Sequence, residues 1–257
     1  MLAAANALGL AAFLWPFALP STAGSAVRWL PMVWMVVLPL VMLTAAQTLL
    51  GLRRDIRQVT LSATLIAFAV AVRPLGAGVA GLEPMWAVLL LAGRALGAQT
   101  GFVVGALSML VSGMVTGGVG PWLPYQMMVG AWAGAAPALV LPRLRGRSEL
   151  LLLTCLGFAT GLLAGALLNL WFWPQAIGLD PAIALQPGAP VLDNLARWAR
   201  NAAITSFGFD VPRAVLTASL LAVTGGTLLP MLRRATRRAS LIAEVQQEPA
   251  PSGTMPT

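Results

Sequence analysis

The chain has 257 residues, of which 58% are hydrophobic and 9% are charged, and its mean hydropathy is +0.83. Soluble domains carry about a quarter charged residues, so this composition excludes a soluble domain, a disordered chain, a coiled coil and a nucleic-acid-binding module. All 16 basic residues are arginines, most of them in short clusters between apolar runs. This distribution predicts an all-α integral membrane protein that crosses the bilayer several times.

Two residue types that are scarce or missing restrict the chemistry. The sequence contains no histidine, which excludes Ser-His triads, Cys-His pairs and histidine-ligated metal sites. Its one cysteine, Cys155, allows no intrachain disulfide and no cysteine metal cluster, and the apolar neighbours predict a small buried side chain. We therefore predict a protein that is not an enzyme and that binds no metal or cofactor itself.

Apolar runs predict eight membrane spans, since a span needs about 20 mainly apolar residues. They are 2–19, 29–51, 59–77, 85–98, 101–116, 121–141, 149–173 and 211–231. The fourth and fifth are short, which predicts tilted or partly re-entrant segments. The first also resembles a signal peptide, because small residues follow it at Ser21–Ala26, and its cleavage would leave seven spans in the same orientation.

Ten of the 16 arginines follow the second, sixth and eighth spans. Since arginine favours the cytoplasmic side, this places both termini in the cytoplasm of a multi-pass cell-membrane protein. The stretch 239–257 predicts a disordered cytoplasmic tail. The clusters contain Arg53, Arg54, Arg57, Arg143, Arg145, Arg147, Arg233, Arg234, Arg237 and Arg238.

Small residues recur at four-residue spacing, which places them on one helix face and lets another helix approach closely. For the glycines of the fifth to seventh spans we predict packing within this chain. The alanine stripe of the third span fits internal packing and docking against another protein equally well. The glycines are Gly101, Gly105, Gly130, Gly134, Gly157, Gly161 and Gly165, and the stripe is Ala63, Ala67 and Ala71.

The loops opposite the arginine clusters carry polar and aromatic residues. Trp122, Tyr125 and Gln126 lie at one turn, and Asn169 and Trp171 end the seventh span. The aromatic residues fit either an interfacial belt or a ligand platform, whereas an amide one turn inside a span needs a partner. Their concentration at one end predicts an outward cavity for an amphiphilic organic molecule.

Charged residues near span ends raise a separate question. Arg73, Arg94 and Arg213 fit either functional sites or structural ion pairs, with Glu83 and Asp210 as candidate partners. Asp210 is also predicted to be the N-cap of the last span.

The connection before the last span contains a candidate surface helix. The stretch 191–205 predicts a short amphipathic helix with Arg197 and Arg200 toward water or headgroups.

Over about residues 57–238 the sequence resembles the substrate-binding S components of energy-coupling factor (ECF) vitamin transporters, of the actinobacterial type. The turn at 117–126 is the most specific part of the resemblance, whereas the alanine stripe alone is a weak signal. Further similar motifs are Arg73–Gly76, Gly81–Met85, Ala92–Arg94, Gly101–Ser112, Asn169–Pro174 and Asp210–Arg213.

The resemblance implies a six-helix core at 57–238, preceded by a two-helix membrane extension at 1–56. It implies as partners a transmembrane coupling subunit and two cytoplasmic ATPase subunits, which use ATP. Ala63, Ala67 and Ala71 would contact the coupling subunit. Residues at the outer helix ends would line the substrate site, namely Glu83, Trp122, Tyr125, Gln126, Asn169 and Trp171.

The chain departs from that family in two ways. Its first two spans lie outside the usual six-helix core. The metal-transporting relatives use an N-terminal histidine, and this chain has none. Its absence favours an organic vitamin over bare nickel or cobalt as the substrate. Cobalamin is the leading candidate.

Two other classes of protein stay open. A membrane-embedded lipid-modifying enzyme needs an acidic metal-binding cluster or a histidine base, and we find neither in the sequence. A non-binding structural subunit of a membrane complex predicts that no outward cavity exists and that no ligand co-purifies.

Overall fold

The computed structural model is a bundle of helices. It describes residues 2–18, 41–43, 46–47, 51, 56–76, 81–176 and 178–247, so most of the predicted span 29–51 lies outside them. These residues form helices and turns without a strand, which confirms the all-α class. The α-helices are α1 Leu2–Leu14, α2 Ile56–Val72, α3 Met85–Leu96, α4 Ala98–Val115, α5 Leu123–Val140, α6 Arg147–Phe172, α7 Val191–Thr205 and α8 Phe207–Gln247.

Four described stretches are long and apolar enough to cross a membrane, and they match the third, fifth, seventh and eighth predicted spans. They are Gln58–Gly76, Ala98–Val115, Arg147–Gln175 and Phe207–Thr236. Helices α1 and α3 have 13 and 12 residues. At 1.5 Å per residue they extend over about 18–20 Å, against about 30 Å of hydrocarbon. Eight spans are therefore not confirmed.

Helix α3 lies at the centre of the bundle. All its residues from Met85 to Gly93 are buried, and it contacts α2, α4, α5, α6 and α8. A helix that is apolar on every side needs cover on every side. The fourth predicted span is thus a short helix enclosed by longer ones.

Helices α3, α4 and α5 meet at glycines. A Cβ added at Gly101 would lie 2.2 Å from the carbonyl oxygen of Gly134, and one at Gly105 would lie 1.9 Å from that of Gly130. A Cβ at Gly93 would lie 1.6 Å from the Gly134 oxygen. Only glycine permits these backbone contacts, so the predicted internal packing of the α4 and α5 glycines is confirmed.

A second row of glycines joins α6 to α8. A Cβ added at Gly161 would lie 2.4 Å from the Cα atom of Ala214, and one at Gly165 would lie 1.7 Å from Oδ1 of Asp210. Close packing here brings the carboxylate of Asp210 against the α6 backbone.

Helix α8 extends further than the sequence predicted. It continues to Gln247, so the first part of the predicted disordered tail 239–257 is helical. Good helix formers such as Ala239, Leu241 and Ala243 favour this continuation, and Pro249 opposes helix in the residue before it.

The prediction that Cys155 is buried is wrong, because the residue is exposed on α6. In a helix that crosses a membrane, the outward face is also apolar. Apolar neighbours along the chain therefore do not distinguish the core from the lipid-facing side.

Gly134→Ala tests the contact between α4 and α5. The new methyl group would lie 2.0 Å from the Gly101 carbonyl oxygen, and we expect the forced separation to cost roughly 1–3 kcal/mol. The control is Gly208→Ala in α8, where an added Cβ meets no atom within 4 Å. Thermal unfolding in detergent should show a lower melting temperature for Gly134→Ala alone, and equal values for both variants would contradict the contact.

Candidate functional site

The bundle has two chemically different ends. Arg143, Arg145, Arg147, Arg233 and Arg234 come together where α5 ends and α6 begins, which we call the arginine-rich end. This confirms that the arginine clusters after the sixth and eighth predicted spans share one side. At the opposite, distal end, α2 and α6 end and α3, α5 and α8 begin.

Gln126, in the first turn of α5 at the distal end, binds an arginine. Its Oε1 accepts a hydrogen bond from Nη2 of Arg73 at 3.1 Å, and Nη1 of Arg73 donates to the hydroxyl of Ser112 at 2.5 Å. Among the residues that the structure describes, no carboxylate pairs with Arg73 and no acceptor meets Nε2 of Gln126. The partner that the sequence required for Gln126 is therefore Arg73. This cation has no carboxylate in contact among the described residues.

Glu83 and Asp210 hold Arg213 between them. Nε of Arg213 donates to Oε2 of Glu83 at 2.9 Å, and Nη1 donates to Oδ1 of Asp210 at 2.7 Å. The same oxygen of Glu83 accepts a hydrogen bond from Nε1 of Trp86 at 2.6 Å. The predicted pairing of Arg213 with Asp210 is confirmed, but Asp210 is not an N-cap, because α8 begins at Phe207.

Arg94 lies at the other end of α3 and does not pair with Glu83. Its Nε donates to Oε1 of Glu149 at 2.5 Å, and Arg233 donates to both oxygens of that carboxylate. The remaining N–H groups of Arg94 reach carbonyl oxygens at and just after the end of α5, where a cation is favourable. These are the carbonyls of Pro137, Leu141, Pro142 and Leu144.

Asn169 is buried, and its side chain is bonded within the chain. Its Nδ2 donates to the hydroxyls of Thr205 at 3.0 Å and Ser206 at 2.7 Å, and its Oδ1 accepts from Nδ2 of Asn201 at 3.0 Å. The residue thus ties the end of α6 to the junction of α7 and α8. In this conformation a solute does not reach it.

Tyr125 and Trp171 pack beneath α1. The ring of Tyr125 lies 4.8 Å from that of Phe13, edge to face, and 5.3 Å from that of Trp171. The Tyr125 hydroxyl donates to the carbonyl of Ala12 at 3.1 Å, and the residue is 1% exposed. Helix α1, whose role the sequence did not indicate, therefore covers part of the predicted site.

Trp122 lies on the rim of the distal end. Its Nε1 donates to the carbonyl of Gly118 at 2.9 Å, which fixes the indole over its own turn, and 39% of the residue is exposed. This position fits an interfacial anchor as well as a ligand platform.

Helix α7 has the predicted bounds, but one of its arginines is partly buried. Arg200 is exposed as expected, whereas Nε and Nη1 of Arg197 are buried. Nε1 of Trp198 is buried too, and no residue of the described ranges accepts a hydrogen bond from these three atoms. The ring of Trp198 lies 6.5 Å from that of Phe17, so this group adjoins the segment that follows α1.

The buried nitrogens of Arg197 lie on a polar face of α7. Asn194 and Asn201 lie three residues before and four residues after Arg197, which places all three on one helix face. Both asparagines are 2% exposed. Polar residues at this spacing usually face water, so the sequence alone predicts exposure and only the tertiary structure shows the burial.

The alanine stripe lies on the outside of the bundle. Ala63, Ala67 and Ala71 are exposed, whereas Ser62 and Ala69 of the same helix are buried toward α3 and α4. No described helix covers this stripe, so among the described residues it does not serve internal packing. Its small side chains stay open to lipid, to another protein or to the part of this chain outside the described residues.

Two described cavities, of about 520 and 420 Å³, lie at the arginine-rich end. None of the six predicted substrate residues lines either cavity. Within the described ranges, no three Cys, Asp or Glu side chains are grouped so that they could hold a metal ion.

No protein-family model, curated protein or solved structure matches this chain. The structure by itself therefore defines the class: an all-helical protein with four described helices long and apolar enough to cross a membrane.

The Arg213–Asp210 pair can be tested with a double-mutant cycle. Arg213→Gln leaves the buried Asp210 carboxylate without its cation, and we expect a loss of about 3–5 kcal/mol in unfolding free energy. Adding Asp210→Asn should restore part of that loss, because, of the two carboxylates, only the more exposed Glu83 then stays without its cation. Arg200→Gln, at an exposed position, is the control. Unfolding in detergent measures all four variants, and strictly additive losses would contradict the coupling.

Proposed function

We propose that this chain is the substrate-capturing membrane subunit of an ECF-type importer. It binds a vitamin or related organic micronutrient at the distal end, which faces outward. It delivers the molecule inward through a transmembrane coupling subunit driven by two cytoplasmic ATPase subunits. The observation that carries the proposal is the exposed alanine stripe of α2.

The stripe is a row of three small side chains beside the exposed Phe68. The exposed face of α8 instead mixes bulky residues such as Val215 and Val223 with single small ones such as Ala222. A face of small residues instead lets a partner helix approach closely, and close packing drives helix association in membranes. A docking partner explains why α2 keeps alanine at Ala63, Ala67 and Ala71.

Helix α2 also supports a link between docking and capture. Arg73 follows Ala71 by two residues and contacts Gln126 and Ser112 of two other helices. A shift of α2 against a coupling subunit therefore moves a guanidinium at the distal end. This is a direct mechanical route from the docking face to the substrate residues.

Side-chain N–H groups without a hydrogen-bond acceptor support the proposal that the substrate is rich in acceptor groups. Two buried guanidinium nitrogens of Arg197 and the buried Nε1 of Trp198 have no acceptor among the described residues, and Nε2 of the partly exposed Gln126 has none there either. A buried donor without a partner costs about 1–3 kcal/mol, which carboxylate, phosphate or amide oxygens of a substrate would recover. Cobalamin, with peripheral amides and a phosphate, fits this requirement.

Access to the substrate residues is unequal. Glu83, Trp122, Gln126 and Trp171 are at least partly accessible, whereas Tyr125 and Asn169 are buried. Contact with those two requires α1 or α7 to move. We therefore assign to α1 and α7 the role of covers over the distal site.

One observation favours a non-binding structural subunit instead. The two cavities of about 520 and 420 Å³ lie at the arginine-rich end and include none of the predicted substrate residues, as expected of a subunit that captures no substrate. Mass spectrometry of small molecules retained by the purified protein separates the two functions. Retention of an organic micronutrient supports capture, and a wild-type protein that retains none and binds no cobalamin contradicts it.

Trp122→Ala and Gln126→Ala test the substrate site. Each removes a contact at the accessible rim, and we expect about a tenfold weaker binding of the retained molecule or of cobalamin, with unchanged assembly. Val119→Ala, in the same turn and 60% exposed, is the control. Calorimetric titration measures the affinities, and wild-type affinity in both variants would refute the assignment.

Ala67→Leu and Ala71→Leu test the docking face. Larger side chains keep a partner helix away from α2, so we expect uptake by cells to fall at least about tenfold while substrate binding to the isolated subunit is unchanged. Ala222→Leu, on the exposed face of α8, should leave both measurements at the wild-type level. Normal uptake by both α2 variants would show that the stripe faces only lipid.

A further inference from the structure

The cavity of about 520 Å³ lies between the first turn of α6 and the last third of the apolar stretch Phe207–Thr236 of α8. Its volume is in the range of small-molecule and cofactor pockets, about 300–1,000 Å³. We call it the arginine groove. Its walls include Arg145, Arg147, Arg234, Gly225, Gly226 and Leu229.

The floor of the arginine groove is apolar and is opened by two consecutive glycines. A Cβ added at Gly225 would lie 2.8 Å from Cδ1 of Leu150, and one at Gly226 would lie 3.8 Å from its Cδ2. Leu229 and Pro230 continue the floor along α8. Side chains larger than glycine at 225 and 226 would fill this space between α6 and α8.

The rim of the groove carries more positive charge than its carboxylate neutralises. Four arginines and one glutamate line it, which leaves a net charge of +3. The glutamate, Glu149, already binds Arg94 and Arg233. Arg145 and Arg147 are exposed and have no carboxylate partner among the described residues, and Arg234 donates only to the carbonyl of Pro230. Three guanidinium groups are thus available to an anion.

A positive rim above an apolar floor has the chemistry that recognises an anionic amphiphile. Helices α6 and α8 are among those long and apolar enough to cross a membrane, and the groove lies near one end of both spans. That is the depth at which phospholipid headgroups meet acyl chains. Guanidinium groups bind phosphate through two parallel hydrogen bonds, and basic pockets between membrane helices bind acidic headgroups.

We propose that the arginine groove binds one anionic glycerophospholipid. Its phosphate lies among Arg145, Arg147 and Arg234, and an acyl chain follows α8 from Leu229 across Gly226 and Gly225 toward the middle of the span. A soluble phosphate would satisfy the rim but leave the apolar floor wet. The proposal requires membrane insertion and is independent of the importer function.

The test uses the full chain, purified in detergent and stripped of lipid. Phosphatidylglycerol or phosphatidylcholine with the same acyl chains is added, and native mass spectrometry counts the lipids retained. We expect one phosphatidylglycerol per chain, preferred about tenfold or more over phosphatidylcholine. Arg145→Gln with Arg147→Gln should abolish the preference, whereas the charge-matched pair Arg143→Gln with Arg200→Gln, outside the groove, should keep it.

A second variant tests the floor without changing the charge. Gly226→Leu places a side chain in the acyl path, and we expect retention of phosphatidylglycerol to fall about tenfold. The third arm adds inorganic phosphate and measures the melting temperature. Equal retention of both lipids by the wild-type chain, equal effects of the two arginine pairs, or equal thermal protection by inorganic phosphate and phosphatidylglycerol would each overturn the proposal.

Discussion

The backbone contact of α3, α4 and α5 at Gly93, Gly101 and Gly134 is the constraint on which the rest of the bundle depends. It allows longer helices to enclose a helix of 12 residues. Because α3 is short, both of its ends lie within the bundle, and each brings a charged residue inside. Glu83 precedes it at the distal end, and Arg94 lies in its last turn at the arginine-rich end.

The charges then separate into those that the protein neutralises and those that it does not. Arg213 lies between two carboxylates, and Glu149 lies between two arginines, as buried ions require in an apolar surrounding. Arg73 has only neutral side-chain partners among the described residues, and Arg197 has none. Arg73 lies near the end of an apolar stretch long enough to span a membrane, where a cation without a carboxylate partner is costly.

The two ends differ in how their polar groups are surrounded. At the distal end, buried nitrogens of Arg197 and Trp198 on α7 adjoin Phe17, and α1 packs over Tyr125. At the arginine-rich end, arginines surround an open apolar groove, which suits a molecule whose tail stays in the bilayer. Helix α2 contacts α3 and α4 with one face and leaves its alanine face uncovered by the described residues.

The sequence by itself determined the apolar helical class, the bounds of α7 and the close packing that the glycine spacing indicates. These follow from composition and from neighbours within a few residues. Only the tertiary structure decided that Arg94 pairs with Glu149, 55 residues away, that Phe13 covers Tyr125, and that Cys155 faces outward. Periodicity could not decide these points, because core-facing and lipid-facing sides are both apolar here and because long-range partners depend on which helices meet.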